Sequence, residues 1–167
     1  LSPDQKDRVM KLMMTLAKWS IDDYHRMVEA GILRDRHVEL LAGNIVEMSP
    51  EIPIHYTTAR RDARYLEGLL RGKADVRFNG PITLSDSEPE PDIAIVRLPE
   101  STYCDRHPTP EDIFWLIEIA RSSLKSDLTI KTAIYARAEI LEYWILDLTN
   151  QELIVFRHPQ EGRYRHE

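Results

Sequence analysis

One carboxylate inside an otherwise apolar run constrains this chain more than any other feature. Residues 113–120 read Ile-Phe-Trp-Leu-Ile-Glu-Ile-Ala. A run of this length, rich in Ile, Phe and Trp and free of Gly and Pro, predicts a strand. Phe114 and Leu116 fill one parity while Ile117 and Ile119 fill the other, as in a central strand buried on both faces. Glu118 is therefore expected inside, where an unpaired charge costs several kcal/mol unless a cation or hydrogen-bond donors compensate it. A second acid, Asp92, stands ahead of the apolar run Ile93–Val96, directly after Pro-Glu-Pro. The residues leave two readings open: a metal-binding or catalytic pair, or acids that are solvated or salt-bridged. Burial of Glu118 favours the first.

The rest of the chain supplies the elements around these two runs. With 167 residues it suits a single domain with a real core, read as helices over 1–36, a core over 37–157 and a polar tail over 158–167. Val9, Leu12, Met13 and Leu16 lie at roughly helical spacing, a Met-rich stripe suited to docking on this domain or a second subunit. Ser20 with Asp23 three residues on predicts an N-capped helix through about Ala30, ended by Gly31. Residues 38–41 and 45–48 form two short strands joined at Ala42-Gly43-Asn44. Between Val38 and Leu40, Glu39 points away from both, as readily a surface acid as a site residue.

From His55 to Gly72 a helix is predicted, with Ala59, Ala63, Leu66 and Leu70 on its apolar face. Arg60, Arg64 and Arg71 make a neighbouring basic face, more simply solvated than phosphate-binding; His55 on residues alone is a structural or capping histidine. Strands follow at 75–84, broken by Asn79-Gly80-Pro81, then at 92–96 and 113–120. A helix over about 126–138, capped by Ser123 or Ser126, carries Asp127, Lys131 and Tyr135 on one face. The last strands are 140–147 and 153–156. The fold class is α/β, a mixed central sheet containing the strands at 38–41, 45–48, 75–84, 92–96 and 113–120, flanked by the 55–72 and 126–138 helices.

Composition narrows the function. Twenty-two basic against 28 acidic residues give a net charge of −6, unlike a protein whose whole surface grips nucleic acid, yet compatible with a local basic patch. One cysteine, Cys104, excludes an internal disulfide framework and fits a reducing cytoplasm. No run approaches a membrane span. Phosphate-loop, dinucleotide, zinc-protease and serine-elbow motifs are absent.

Several segments in order carry a resemblance. ELLAGNIVEMSP, the following His55, PEPDIAIV, HPTPEDIFWLIEIARSSL and D-x-x-x-K-x-x-x-YARA-x-I-x-EYWILDL together resemble the Uma-type family of putative restriction endonucleases, within the PD-(D/E)xK nuclease superfamily, from about Ser20 to Phe156. The resemblance implies a restriction-endonuclease-like fold, a metal-dependent endonuclease acting on nucleic acid, most readily DNA, and Mg²⁺ or Mn²⁺ held by Asp92 and Glu118. It implies catalytic roles for Asp92, Glu118, Lys131 and Glu39, and makes His55, Asp127 and Tyr135 secondary candidates. Two departures stand out. Ala120 occupies the position of the superfamily's strand lysine, so helical Lys131 is its substitute. Arg121 stands where the family pattern carries an acid, which argues against a second metal there. The alternative is a nuclease-fold module that binds DNA or assembles without catalysis. A homodimer is expected, since a two-fold pair meets both strands of a duplex.

Overall fold

Strand pairing around residues 113–120 dictates the architecture. The computed structural model describes residues 15–165, so Val9, Leu12 and Met13 of the stripe lie outside the described residues; Leu16 is exposed. In chain order the elements are α1 (Ile21–Glu29), β1 (Val38–Leu41), β2 (Asn44–Glu47), α2 (Pro53–Leu69), β3 (Asp75–Phe78), β4 (Ile93–Val96) and β5 (Ile113–Ala120). A composite helix, α3, follows in three consecutive pieces: an α-turn Leu124–Ser126, a π-helical stretch Asp127–Lys131 and an α-helical Thr132–Arg137. The chain ends in β6 (Glu142–Asp147), β7 (Glu152–Gln160) and β8 (Arg163–Arg165). Six strands form one mixed sheet in the order β3-β4-β5-β6-β7-β8, with only β5 and β6 parallel.

β5 is central, as its two-sided apolar pattern requires, and its two faces build two cores. Ile93, Ile95, Ile117 and Ile119 pack against Ala59, Ala63 and Leu66 of α2, whose alanines let the helix lie close to the sheet. Ala94, Val96 and Leu116 face the other way, onto Ile134, Tyr135 and Tyr143. Each fully buried Ile or Leu in these layers stabilises the fold by about 1.5–3 kcal/mol. α3 is further clamped by aromatics. Tyr135 meets Tyr143 edge-on at 4.8 Å, Tyr143 stacks on Phe156 at 5.7 Å, and the Tyr164 hydroxyl donates to the Ile140 carbonyl at 2.8 Å.

Local rules account for the boundaries. Ser20 and Asp23 cap α1 reciprocally: the Asp23 amide donates to Ser20 Oγ at 3.1 Å and the Ser20 amide to Asp23 Oδ2 at 3.2 Å. Pro53 opens α2 at a position where the missing N–H costs nothing. The turn between β1 and β2 needs positive φ at both central residues, taken by Ala42 (48°) and Gly43 (74°). Asn79, at φ 46°, ends β3 before Gly80-Pro81, so the strand is shorter than the 75–84 expected.

Three expectations are corrected. The 38–41 and 45–48 strands do not join the central sheet; they make a separate two-stranded ribbon. Among their links to the rest, the Gly43 amide donates to the Asp86 carbonyl at 2.8 Å and Leu40 pairs with Glu88 in an irregular segment. Pro89 and Pro91 lack the N–H groups needed to extend that pairing into a ladder. Residues 158–165 are not a loose tail, because β7 runs to Gln160 and β8 adds an edge strand. Neither Ser123 nor Ser126 caps α3 with its side chain.

The turn leading into β5 makes a sharp stability prediction. Asp112 accepts hydrogen bonds from the Thr109 amide and hydroxyl, each at 2.9 Å, and pairs with Arg106 at 2.5 Å. The Arg106 guanidinium, with Thr109 assisting against burial, holds the Asp112 carboxyl down to about 2, from an ordinary 3.8. Because the folded value is depressed, this stabilisation is complete above about 4 and fades as pH falls toward 2. Asp112→Asn should lose about 1–3 kcal/mol at neutral pH. Urea unfolding should show that penalty shrinking as pH drops through this window.

Candidate functional site

Asp92 and Glu118 meet because of register. β4 and β5 are antiparallel with Ile93 opposite Ile117, so continuing the ladder one residue sets Asp92 across from Glu118 on the same face. That face is the one covered by α3. Asp92 is pinned at the strand entrance: its Oδ2 accepts from the Ile119 amide at 2.6 Å, and its carbonyl accepts from the Asn79 amide at 3.0 Å. The Pro-Glu-Pro that precedes it fixes the approach, with Pro89 fully buried and the Glu90 amide donating to Glu39 Oε1 at 2.9 Å.

Glu118 is only 4% exposed, as the apolar run demanded, and its compensation is Lys131, itself 7% exposed. Lys131 Nζ lies 2.9 Å from Glu118 Oε1 and 3.2 Å from Glu39 Oε1. The Tyr135 hydroxyl donates to the same Glu118 oxygen at 3.0 Å. Glu39 therefore faces inward from β1, resolving the ambiguity of its alternating strand. Asp127 is buried beside them, and its Oδ2 has no hydrogen-bond partner among the described residues. The π-helical turn makes this convergence possible. Inserting one residue between Asp127 and Thr132 widens the helix there, and both the Thr132 amide and its hydroxyl bond the Asp127 carbonyl, the hydroxyl at 2.7 Å.

The electrostatics follow from four buried acids around one ammonium. Burial pushes the Glu118 carboxyl well up, and Asp92, Asp127 and Glu39 reinforce the rise while Lys131 opposes it. Burial likewise raises Asp127, again against Lys131. For Lys131 burial works toward the neutral amine, but Glu118, Glu39 and Asp127 outweigh it and raise its pKa. Lys131 is thus a fixed positive charge. Burial and the Glu118 charge raise the Tyr135 phenol, which stays a hydrogen-bond donor.

A second group adjoins the first through Asp92. His55, in the first turn of α2, places Nε2 3.2 Å from Asp92 Oδ2 and Nδ1 3.0 Å from Glu51 Oε1. The hydrogen bond to Asp92, against burial and with Glu51 assisting, pushes the imidazole up to about 9, so it is protonated at neutral pH. Ligand atoms of Glu51, His55 and Asp92 all lie within 4.8 Å of one another, a spacing one cation could bridge. The two carboxylates suit a divalent ion that takes oxygen ligands, and His55 could add an imidazole nitrogen only by giving up its proton as the cation arrives. Of the two ligands expected from sequence, Asp92 belongs to this group; Glu118 lines the same cavity but its Oε1 is held by Lys131 and Tyr135.

All seven sequence candidates (Asp92, Glu118, Lys131, Glu39, His55, Asp127 and Tyr135) converge here, the first six lining one cavity of about 350 Å³ and Tyr135 lying behind Glu118. Seven carboxylates and four basic side chains line that cavity. Sequence reading missed Glu51 and Glu90. The Glu51-x-x-x-His55 spacing, one helical turn, was the available signal for Glu51; Glu90 sat in plain view between two prolines.

Removing the ammonium should be costly. Lys131→Met leaves Glu118 and Glu39 buried without a counter-charge and should destabilise the metal-free protein by about 3–5 kcal/mol. Glu118→Gln should cost much less, because Lys131 keeps Glu39 and Asp127. Equilibrium urea unfolding in EDTA compares them; equal stability of Lys131→Met and wild type would refute the pairing.

Comparisons with known proteins agree with this fold. A family model described as "Uma2: Putative restriction endonuclease" matches residues 21–167. Among solved structures, a putative nuclease belonging to DUF820 from Anabaena variabilis superposes with a TM-score of 0.64 at 17% identity, covering 78% of this chain and 76% of that one. That likeness shows a shared fold. No curated protein matches the chain.

Proposed function

The chain belongs to the Uma2 family of putative restriction endonucleases, and from that membership we propose that it is a metal-dependent endonuclease hydrolysing phosphodiester bonds of nucleic acid, DNA in preference to RNA. The observation that carries this reading is Lys131. Ala120 leaves the strand without the lysine expected there, and the ammonium instead arrives from α3 at 2.9 Å from Glu118. A protein that had abandoned catalysis would have no need to hold a buried lysine among four acids at such desolvation cost. This supports the enzyme over a non-catalytic binding module.

In this reading Asp92 and Glu51 would hold Mg²⁺ or Mn²⁺, with His55 joining them only once the cation displaces its proton, and Asp127, with its unpartnered Oδ2, and Glu118 line the same cavity. When bound, the ion supplies an activated water and offsets phosphate charge. The chain's own residues do the remainder. Lys131 stays protonated, so it is not the general base; it supplies positive charge where charge develops on the phosphorane. Glu118, raised by burial and steadied by Lys131 and Tyr135, is the carboxylate suited to take a proton from the attacking water. Glu39 shares the Lys131 ammonium with Glu118, at 3.2 Å.

Cellular context follows the same reading. No helix among the described residues is long and apolar enough to cross a membrane, and exposed, unpaired Cys104 suits a reducing cytoplasm. A homodimer would present two such cavities to a duplex, with exposed Leu16 and Trp19 as apolar contact. Light scattering at micromolar concentration should return a dimer mass; a monomer would count against it.

The central test is nicking of supercoiled plasmid in Mn²⁺. Wild type should cleave, while Asp92→Ala and Glu118→Gln should not. Calorimetry should show Mn²⁺ binding lost in Asp92→Ala. Lys131→Ala should reduce turnover far more than metal affinity. Wild-type protein that neither binds Mn²⁺ nor cleaves would refute the proposal.

A further inference from the structure

An acid-lined cavity repels the polyanion it is meant to receive, so its basic side chains matter. Four line it, and three are engaged. His37 lies 3.8 Å from Glu90, His55 sits between Glu51 and Asp92, and Lys131 is shared by Glu118 and Glu39. The fourth, Arg121, is exposed at the cavity's edge, one residue beyond the end of β5 and three beyond Glu118. It makes no ion pair or hydrogen bond among the described residues, although carboxylates surround the cavity. Elsewhere in the chain arginines beside acids pair with them, as Arg106 does with Asp112 and Arg157 with Glu142. Ser122 and Ser126, with hydroxyls able to donate, line the same edge.

We propose that Arg121 is the phosphate-binding residue of this site: its guanidinium contacts a backbone phosphodiester next to the scissile one and draws the strand into the acidic cavity. This inference rests on the nuclease reading above and deepens it. The physical reasons are specific. A guanidinium offers a planar fork of donors that matches two phosphate oxygens, and it cannot lose its charge. An unpaired one pays no cost of breaking an existing salt bridge before gripping substrate. Its place three residues from Glu118 in sequence, on the strand end that carries the acid, ties the phosphate grip to the chemistry by a short rigid link. The position that resemblance would fill with an acid is thereby turned from a cation ligand into an anion ligand.

The experiment compares wild type with Arg121→Ala, Arg121→Lys and Arg121→Glu. Binding of a fluorescein-labelled DNA duplex is read by anisotropy in Ca²⁺ across a KCl series, and cleavage is followed in Mn²⁺. Arg121→Ala should weaken binding about tenfold and lower the slope of log affinity against log salt by about 0.9, the signature of one lost phosphate contact. It should raise KM more than it lowers kcat. Arg121→Lys should restore most of the slope but only part of the affinity, since a point charge lacks the fork, and Arg121→Glu should bind worst. Melting temperatures should match throughout, because the exposed side chain makes no hydrogen bond or ion pair among the described residues. If wild type binds and cleaves while Arg121→Ala keeps its affinity and slope, the assignment to Arg121 is overturned and the nuclease reading stands. A lowered melting temperature with Lys no better than Ala would mark a structural role and overturn it as well. Wild type that neither binds nor cleaves removes the nuclease reading, and this inference with it.

Discussion

A buried ammonium among buried carboxylates holds the functional end of this molecule together. Lys131 from α3 reaches Glu118 on β5 and Glu39 on β1, so one side chain ties the helix to both the large sheet and the small ribbon. Neither partner tolerates the low-dielectric interior alone. The acids outnumber the lysine, so the cluster remains deficient in positive charge even when every contact is made. That deficit is chemically useful, because it leaves standing demand for a cation or a proton at a defined point.

The aromatic layer beneath α3 makes this arrangement precise. A flexible lysine would lose much of its interaction to side-chain entropy on a mobile helix. Here Tyr135, Tyr143, Phe156 and Tyr164 form a packed column from the helix through β6 and β7 to β8. The Tyr143 hydroxyl also reaches the Asp127 carbonyl at 3.4 Å, at the start of the π-helical turn. The edge strand that composition alone presents as a polar tail therefore contributes, through Tyr164, to the rigidity of a site on the far end of the sheet.

Much of this was legible in the sequence, for reasons that differ residue by residue. Glu118 announced itself through a violated pattern, since no solvated strand is apolar at both parities. Asp92 followed from its place at a strand entrance after prolines, and register did the rest. Lys131 was not derivable from periodicity, where it is one charge on a helix among several; only the resemblance singled it out. Glu39 was ambiguous because alternation gives a face but not which face is inside. The ribbon of β1 and β2 was read into the main sheet because strand propensity is local, whereas pairing depends on a partner segment whose prolines cannot supply a ladder. Glu51 escaped because it precedes its helix, where side-chain spacing carries less meaning.

That ribbon has a consequence for how the cavity behaves. One wall of the site carries Glu39 and belongs to a two-stranded unit joined to the segment before β4 by the Leu40–Glu88 pairing and the Gly43–Asp86 hydrogen bond, to the core by Leu41, and to α1 by the Tyr24 hydroxyl on the Val38 carbonyl. The opposite wall, with Asp92 and Glu118, is continuous with the six-stranded core. The two walls therefore belong to separate hydrogen-bonded sheets, and Lys131 bridges them from Glu118 to Glu39. One ammonium thus fixes the relative position of two walls that no shared strand ladder joins, so its loss would be felt on both sides of the cavity.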